Sequence, residues 1–230
     1  MGNEINWTAF NVEFPIPGEG KIFGLEELAR DLGARRIADG YRAYLLTLTV
    51  FKDIRDHSRL NRETPILSAG LSDPGPAGPR PGSKTDALAI GATLEYLRAN
   101  GLDTLVDAYG VHTYPWAKTG AARVKQLKQD TLAECQPPGQ RRPCWITEWG
   151  LPASGAACPA NDMSRATLMR EMLGDFRQFV NQGRLQGLIY YAWTDRQYGI
   201  YRCSTLTESG HLALGQLGGR VVFASSESAN

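Results

Sequence analysis

Glu148 stands between Trp145 and Trp149 in "CWITEWGLP", residues 144–152, at the end of a short apolar run. A carboxylate in such a place is costly unless it is paired or used in chemistry. Comparable groups close three other apolar runs: Ser72 and Asp73 in "TPILSAGLSD", His112 and Tyr114 in "LVDAYGVHTYP", and Trp193 and Asp195 in "LQGLIYYAWTD". Indole faces stack on the apolar faces of sugar rings, while carboxylates and hydroxyls bond the ring edges. Acids, a histidine, a tyrosine and tryptophans at a common mouth, with Glu148 between two of the indoles, outline a carbohydrate site. The structural alternatives are tryptophans as core filler, His112 as a hydrogen-bonded core histidine and Glu148 as half of a salt bridge.

The elements between these runs supply the common mouth. Apolar residues recur at helical spacing in "ARRIADGYRAYLLTLTVFKDIRDHSRL", in "KTDALAIGATLEYLRANG" with Gly101 as its stop, in "AARVKQLKQDTLAEC" and in "SRATLMREMLGDFRQFVNQG". Each follows or precedes one of the apolar runs, which read as buried strands. Alternation of this kind predicts an α/β fold with a parallel sheet, one domain over residues 1–230. Polar residues at the carboxyl ends of parallel strands then share the functional face. "DPGPAGPRPGS" is a Pro/Gly loop.

Composition narrows the function classes. The 230 residues are 42% hydrophobic and 21% charged, with a formal net charge of +1. So balanced a chain has no field for nucleic acid or an anionic membrane. The first twenty residues lack the basic-then-apolar layout of a signal peptide. The cysteines at 135, 144, 158 and 203 form no CxxC pair and the three histidines are scattered, so a zinc site is not expected. Cys135 and Cys144 bracket the loop "CQPPGQRRPC"; a disulfide there and buried free thiols are both open. There is no GxSxG elbow and no glycine-rich phosphate loop.

"YGVHTYP", "WITEWG" and "YYAWTD", on successive strands, resemble the last three strands of the retaining (β/α)8 glycoside hydrolases. That clan contains bacterial cellulases, mannanases, xylosidases and arabinosidases. The resemblance implies a TIM-barrel fold, here N-terminally truncated to strands five to eight and the end of strand four. It implies Glu148 as nucleophile and, through "GNEIN" at residues 2–6, Glu4 as acid/base, with Asn3 bonding the sugar's 2-hydroxyl. Tyr114 would steady the nucleophile, Trp193 would lie under the bound sugar, and His112 and Trp149 would help wall the site. No cofactor or metal is implied, and the partner is a carbohydrate: β-linked glucan, mannan, xyloside or arabinoside. Export of a full-length parent would favour the pairs Cys135–Cys144 and Cys158–Cys203, the latter on adjacent rim loops.

An intact barrel needs eight βα units and about 250 residues. A shorter arc leaves open edges, so a second copy or a complementing chain is expected to cover them. "GNEIN" could instead be a solvated tail, with too few residues before Glu4 to fix its carboxylate. Glu13 and Glu19 read as solvated. The alternative to a hydrolase is a non-catalytic, carbohydrate-binding remnant of such a barrel.

Overall fold

Four apolar runs become four strands of one parallel sheet. In the computed structural model, which describes residues 3–8, 20–73, 85–114, 120–153, 155, 158 and 160–215, these are β2 (Leu67–Ser72), β4 (Ala108–Thr113), β5 (Cys144–Trp149) and β6 (Leu185–Tyr190). They lie side by side in the order β2-β4-β5-β6, every pair parallel. Among the described residues the sheet does not close on itself. The Pro/Gly loop beyond Asp73, and Glu13 and Glu19, lie outside the described residues.

The crossovers are helical, as the periodicity requires. The helices are α1 (Leu25–Arg30), α2 (Leu32–His57), α3 (Ile90–Ala99), α4 (Gly120–Gln126), α5 (Met163–Asn181) and α6 (Glu208–Ala213). Gly101, at φ 97°, takes the left-handed conformation after α3 that stops a helix. Two helices are shorter than their apolar patterns. Residues Ala87–Leu88 are extended as β3 and pair with β1 (Ile22–Phe23), because Asp86 is held by Lys21 N at 2.9 Å and by Thr8. After α4 the chain widens into a π-type turn over Leu127–Thr131.

One face of the sheet meets the helices. Leu71, Tyr109, Val111 and Ile146 share a buried core with Leu94 and Leu97 of α3 and Met169, Met172 and Phe176 of α5. Each such side chain contributes roughly 1.5–3 kcal/mol by leaving water. Both expected disulfides form, Cys135–Cys144 with Cα atoms 5.4 Å apart and Cys158–Cys203 at 5.7 Å. The second ties the chain after β5 to the hairpin of β7 (Tyr201–Arg202) and β8 (Thr205–Leu206). Among the described residues no helix is long and apolar enough to cross a membrane.

Candidate active site

The site begins with a surplus residue. Between β4 and β5 the register runs Val111↔Ile146 and then His112↔Glu148. Between β5 and β6 it runs Ile146↔Leu188 and then Trp149↔Tyr190. Both neighbours therefore count one extra residue in β5 between Ile146 and Trp149. A bulge resets the alternation of side chains and re-aims those beside it. Ile146 and Trp149 both turn to the helices, while Glu148 stays at the mouth. Trp149 is 2% exposed and meets Phe176 of α5 edge-on at 5.2 Å. The expected aromatic wall is thus corrected: Trp149 is core.

Tyr114 follows β4 directly and donates its hydroxyl proton to Oε1 of Glu148. Burial and the facing Glu148 carboxylate push the Tyr114 phenol far above its usual range, so it remains a donor. His112, near the end of β4 and 2% exposed, lies on the same face. Its ring occupies space left by Gly70 of β2: a Cβ there would come within 2.1 Å of Nε2.

The N-terminal segment brings the second acid. Asn3 pairs parallel with Gly70, and Glu4 N donates to Gly70 O at 2.7 Å. Asn6, fully buried, donates to Ser72 O and Leu88 O at 2.8 Å each and accepts from Ser72 N. Thr8 and Asp86 exchange backbone and hydroxyl bonds. The tail reading of "GNEIN" is corrected by these bonds, which tie Asn3, Glu4 and Asn6 to β2 and its surroundings. Glu4 itself has φ 43°, a left-handed backbone that non-glycine residues keep only when their surroundings enforce it.

His112 joins the two acids. Its Nδ1 is 3.0 Å from Glu4 Oε1 and 3.6 Å from Glu148 Oε2. Those two oxygens are thus at most about 6.6 Å apart, the two legs laid end to end, which admits the separation of about 5 Å that retaining glycosidases use. Both carboxylates keep some access to solvent, with side chains 15% and 22% exposed. A pair of carboxyl groups at this spacing can attack carbon with one member and move a proton with the other. Among the described residues no group of three or more His, Cys, Asp or Glu is arranged to hold a metal ion.

The remaining expected residues sit apart. Asn3 is exposed at the edge beside β2. Trp193 lies past the end of β6, stacked on Tyr201. The ring beside Tyr114 is Tyr191, edge-on at 6.5 Å, with Tyr198 at 5.2 Å on another side. Both were missed in the sequence, although Tyr191 follows its strand directly. Tyr198 is held by buried Arg165 of α5, which bonds Tyr198 O, Gly199 O and Asp162. Asp195 accepts from Gln197 N and Tyr198 N at 2.7 Å each, which makes it a turn residue.

No family model and no curated protein matches the chain. Among solved structures it is similar to Bacteroides uniformis beta-glucuronidase 2 covalently bound to cyclophellitol-6-carboxylate aziridine, at TM-score 0.44 and 11% identity over 75% of this chain and 20% of that one. A calcium-binding mutant of that protein matches at TM-score 0.44 and 12% identity, over 75% of this chain and 19% of that one. Another Bacteroides uniformis beta-glucuronidase matches at 0.41 and 11%, over 74% and 17%. The chain spans about a fifth of the length of the first of these proteins.

Proposed function

We propose that the chain carries the catalytic site of a retaining glycoside hydrolase acting on β-linked glycosides. One observation carries the reading: Glu4 and Glu148 face the same nitrogen of a buried histidine, 3.0 and 3.6 Å away, at the mouth of a parallel sheet. Glu148, which accepts the Tyr114 hydroxyl proton, attacks the anomeric carbon as the carboxylate. Glu4 begins as the acid and gives its proton to the departing glycosidic oxygen. In the second step Glu4, now a carboxylate, takes a proton from water as that water attacks the anomeric carbon and frees Glu148. The inward row of Gly70, His112 and Thr147 supports reading the sheet as an arc of a (β/α)8 barrel. The Asn3–Glu4 pairing then stands where the fourth strand would end.

The test is a panel of aryl β-glycosides. Turnover by the wild-type chain should vanish in Glu148→Gln, whose amide keeps the shape but cannot attack. Glu4→Ala should lower kcat/KM steeply for substrates with poor leaving groups and little for activated ones, whose turnover is then limited by the unassisted water step and is restored by azide with release of a glycosyl azide. A chain that binds β-linked sugars and turns over none of the panel would overturn catalysis and leave the sugar-binding alternative.

A further inference from the structure

We propose that the chain pairs with a second copy of itself through the outer face of α2, the two helices antiparallel about a two-fold axis at Val50. The inference is independent of the glycosidase reading. One face of α2 belongs to the core: Ile37, Tyr41 and Leu48 are fully buried and Leu45 is 7% exposed. The opposite face carries a second apolar row, Leu46, Val50 and Ile54, at 69%, 57% and 63% exposed, with Phe51 beside it at 41%. Residues four apart stack along a helix, so the row is continuous over about 12 Å. A single outward leucine needs no explanation, but a helix apolar on two opposite faces has the pattern of one covered on both.

The row is also within reach of a partner. No residue of α2 after Leu48 is buried, although the helix runs on to His57. Core packing therefore does not account for the apolar residues of this last stretch. A helix gains nothing from Val50, Phe51 and Ile54 in water, where straight polar side chains form helix better. Against a second apolar helix each of them leaves water.

The charges beside the row select the occupant. Arg42 precedes the row, and Asp53 and Asp56 flank its far end on the same side of the helix as Arg42. In antiparallel packing with Val50 on the axis, Leu46 of each copy meets Ile54 of the other. Arg42 of each copy then comes level with Asp56 of the other, since one lies about two turns before Val50 and the other nearly two turns after it. Parallel packing would set Arg42 on Arg42 and Asp56 on Asp56. The face is thus complementary to itself in one orientation, as a two-fold interface requires. Both charged side chains stay accessible, 57% and 40% exposed, while Tyr96 and Asp39 hold Arg42 and Lys52 and Arg55 hold Asp56. Rim charges of this kind set orientation more than affinity. Four apolar side chains a copy fall short of the roughly 800 Å² per partner of a standard interface, so the dimer dissociates on dilution.

Sedimentation of the full chain across the micromolar to submillimolar range tests the pairing. A monomer–dimer equilibrium is expected, and Val50→Glu should weaken it by at least about tenfold at unchanged circular dichroism. All four native cysteines are in disulfides, so introduced thiols report the arrangement. Under mild oxidation Val50→Cys should cross-link to its own copy. Leu46→Cys and Ile54→Cys should cross-link to one another when mixed, and neither should do so alone, because like positions then stand about 12 Å apart along the axis. Cross-linking of Leu46→Cys with itself would mean a parallel pair and overturn the arrangement. A wild-type chain that stays monomeric throughout, or a dimer indifferent to Val50→Glu, overturns the pairing and leaves the row to a different partner.

Discussion

Glu4 and Glu148 meet at one imidazole nitrogen, Nδ1 of His112, from opposite sides of the sheet's mouth. Nδ1 carries at most one proton, and only Glu4, at 3.0 Å, is within hydrogen-bond reach. Glu148, at 3.6 Å, is held instead by the Tyr114 hydroxyl. The two acids therefore have different partners, which is how a site keeps two carboxyl groups in different roles.

Removing the imidazole should separate placement from binding. His112→Ala is expected to lower kcat by on the order of a hundredfold, the cost of shifting a reacting group by about 1 Å, with a smaller change in KM. His112→Asn, whose amide reaches nearly as far as Nδ1, should recover part of the loss. Equal activity of the Ala variant and wild type would remove His112 from the site.

Gly70 should be indispensable to the same arrangement. An added Cβ would sit 2.1 Å from His112 Nε2 and 2.8 Å from Thr147 Oγ1, and the Gly70 carbonyl anchors Glu4. Overpacking of this kind costs about 1–3 kcal/mol, so Gly70→Ala should lower the denaturation midpoint and abolish turnover together. Gly91→Ala is the control: nothing lies within 4 Å of its Cβ, and on a helix the change should be neutral or slightly stabilising. Similar midpoints and rates for both variants would contradict the packing argument.

Much of this architecture is readable from residues alone, and the failures have particular causes. The strands of a parallel sheet are buried on a long face, so "LSAGLS", "AYGVHT", "CWITEW" and "LQGLIY" stand out as apolar runs. Glu148 and Tyr114 fall at their ends, where alternation of strand and helix puts polar groups together. The surplus residue in β5 is invisible: Thr147 and Glu148 are both polar, and strict alternation would have turned Trp149 to the mouth. Glu4 is anchored by partners 66 to 82 residues away, Asn6 with Ser72 and Leu88, which no local pattern announces. Tyr191 lost to Trp193 because indole is the more familiar sugar platform, although the strand ends at Tyr190.

The corrected place of Trp149 has its own consequence. A ring 2% exposed against Phe176 and Tyr190 belongs to stability, not to recognition. Trp149→Ala should cost about 3–5 kcal/mol in urea unfolding. Oligosaccharide affinity of the folded fraction, in the Glu148→Gln background, should stay within a factor of about two, because a ring 2% exposed offers a sugar no face to stack on. A large loss of affinity at unchanged stability would return Trp149 to the sugar wall.

The last prediction concerns acid. Asp162 and Arg165, at the start of α5, have side chains 6% and 2% exposed and lie 2.6 Å apart. Burial opposes the charge on Asp162, but the Arg165 guanidinium and the Ser209 amide outweigh it and hold the carboxyl below its usual range. A depressed carboxyl in the folded state stabilises it above the unfolded value, about 4, and that contribution fades as pH falls through the lower folded value. Arg165 also holds Tyr198 O and Gly199 O, so the pair fixes the segment that packs on Tyr114. Asp162→Asn leaves a buried guanidinium uncompensated and should cost about 3 kcal/mol at neutral pH. The gap between variant and wild type should narrow steadily below about pH 4, as the wild-type carboxyl takes up its own proton. Urea unfolding of both proteins from pH 7 to pH 2.5 measures it. A gap that stays constant across that range would mean the Asp162 charge contributes nothing to the fold.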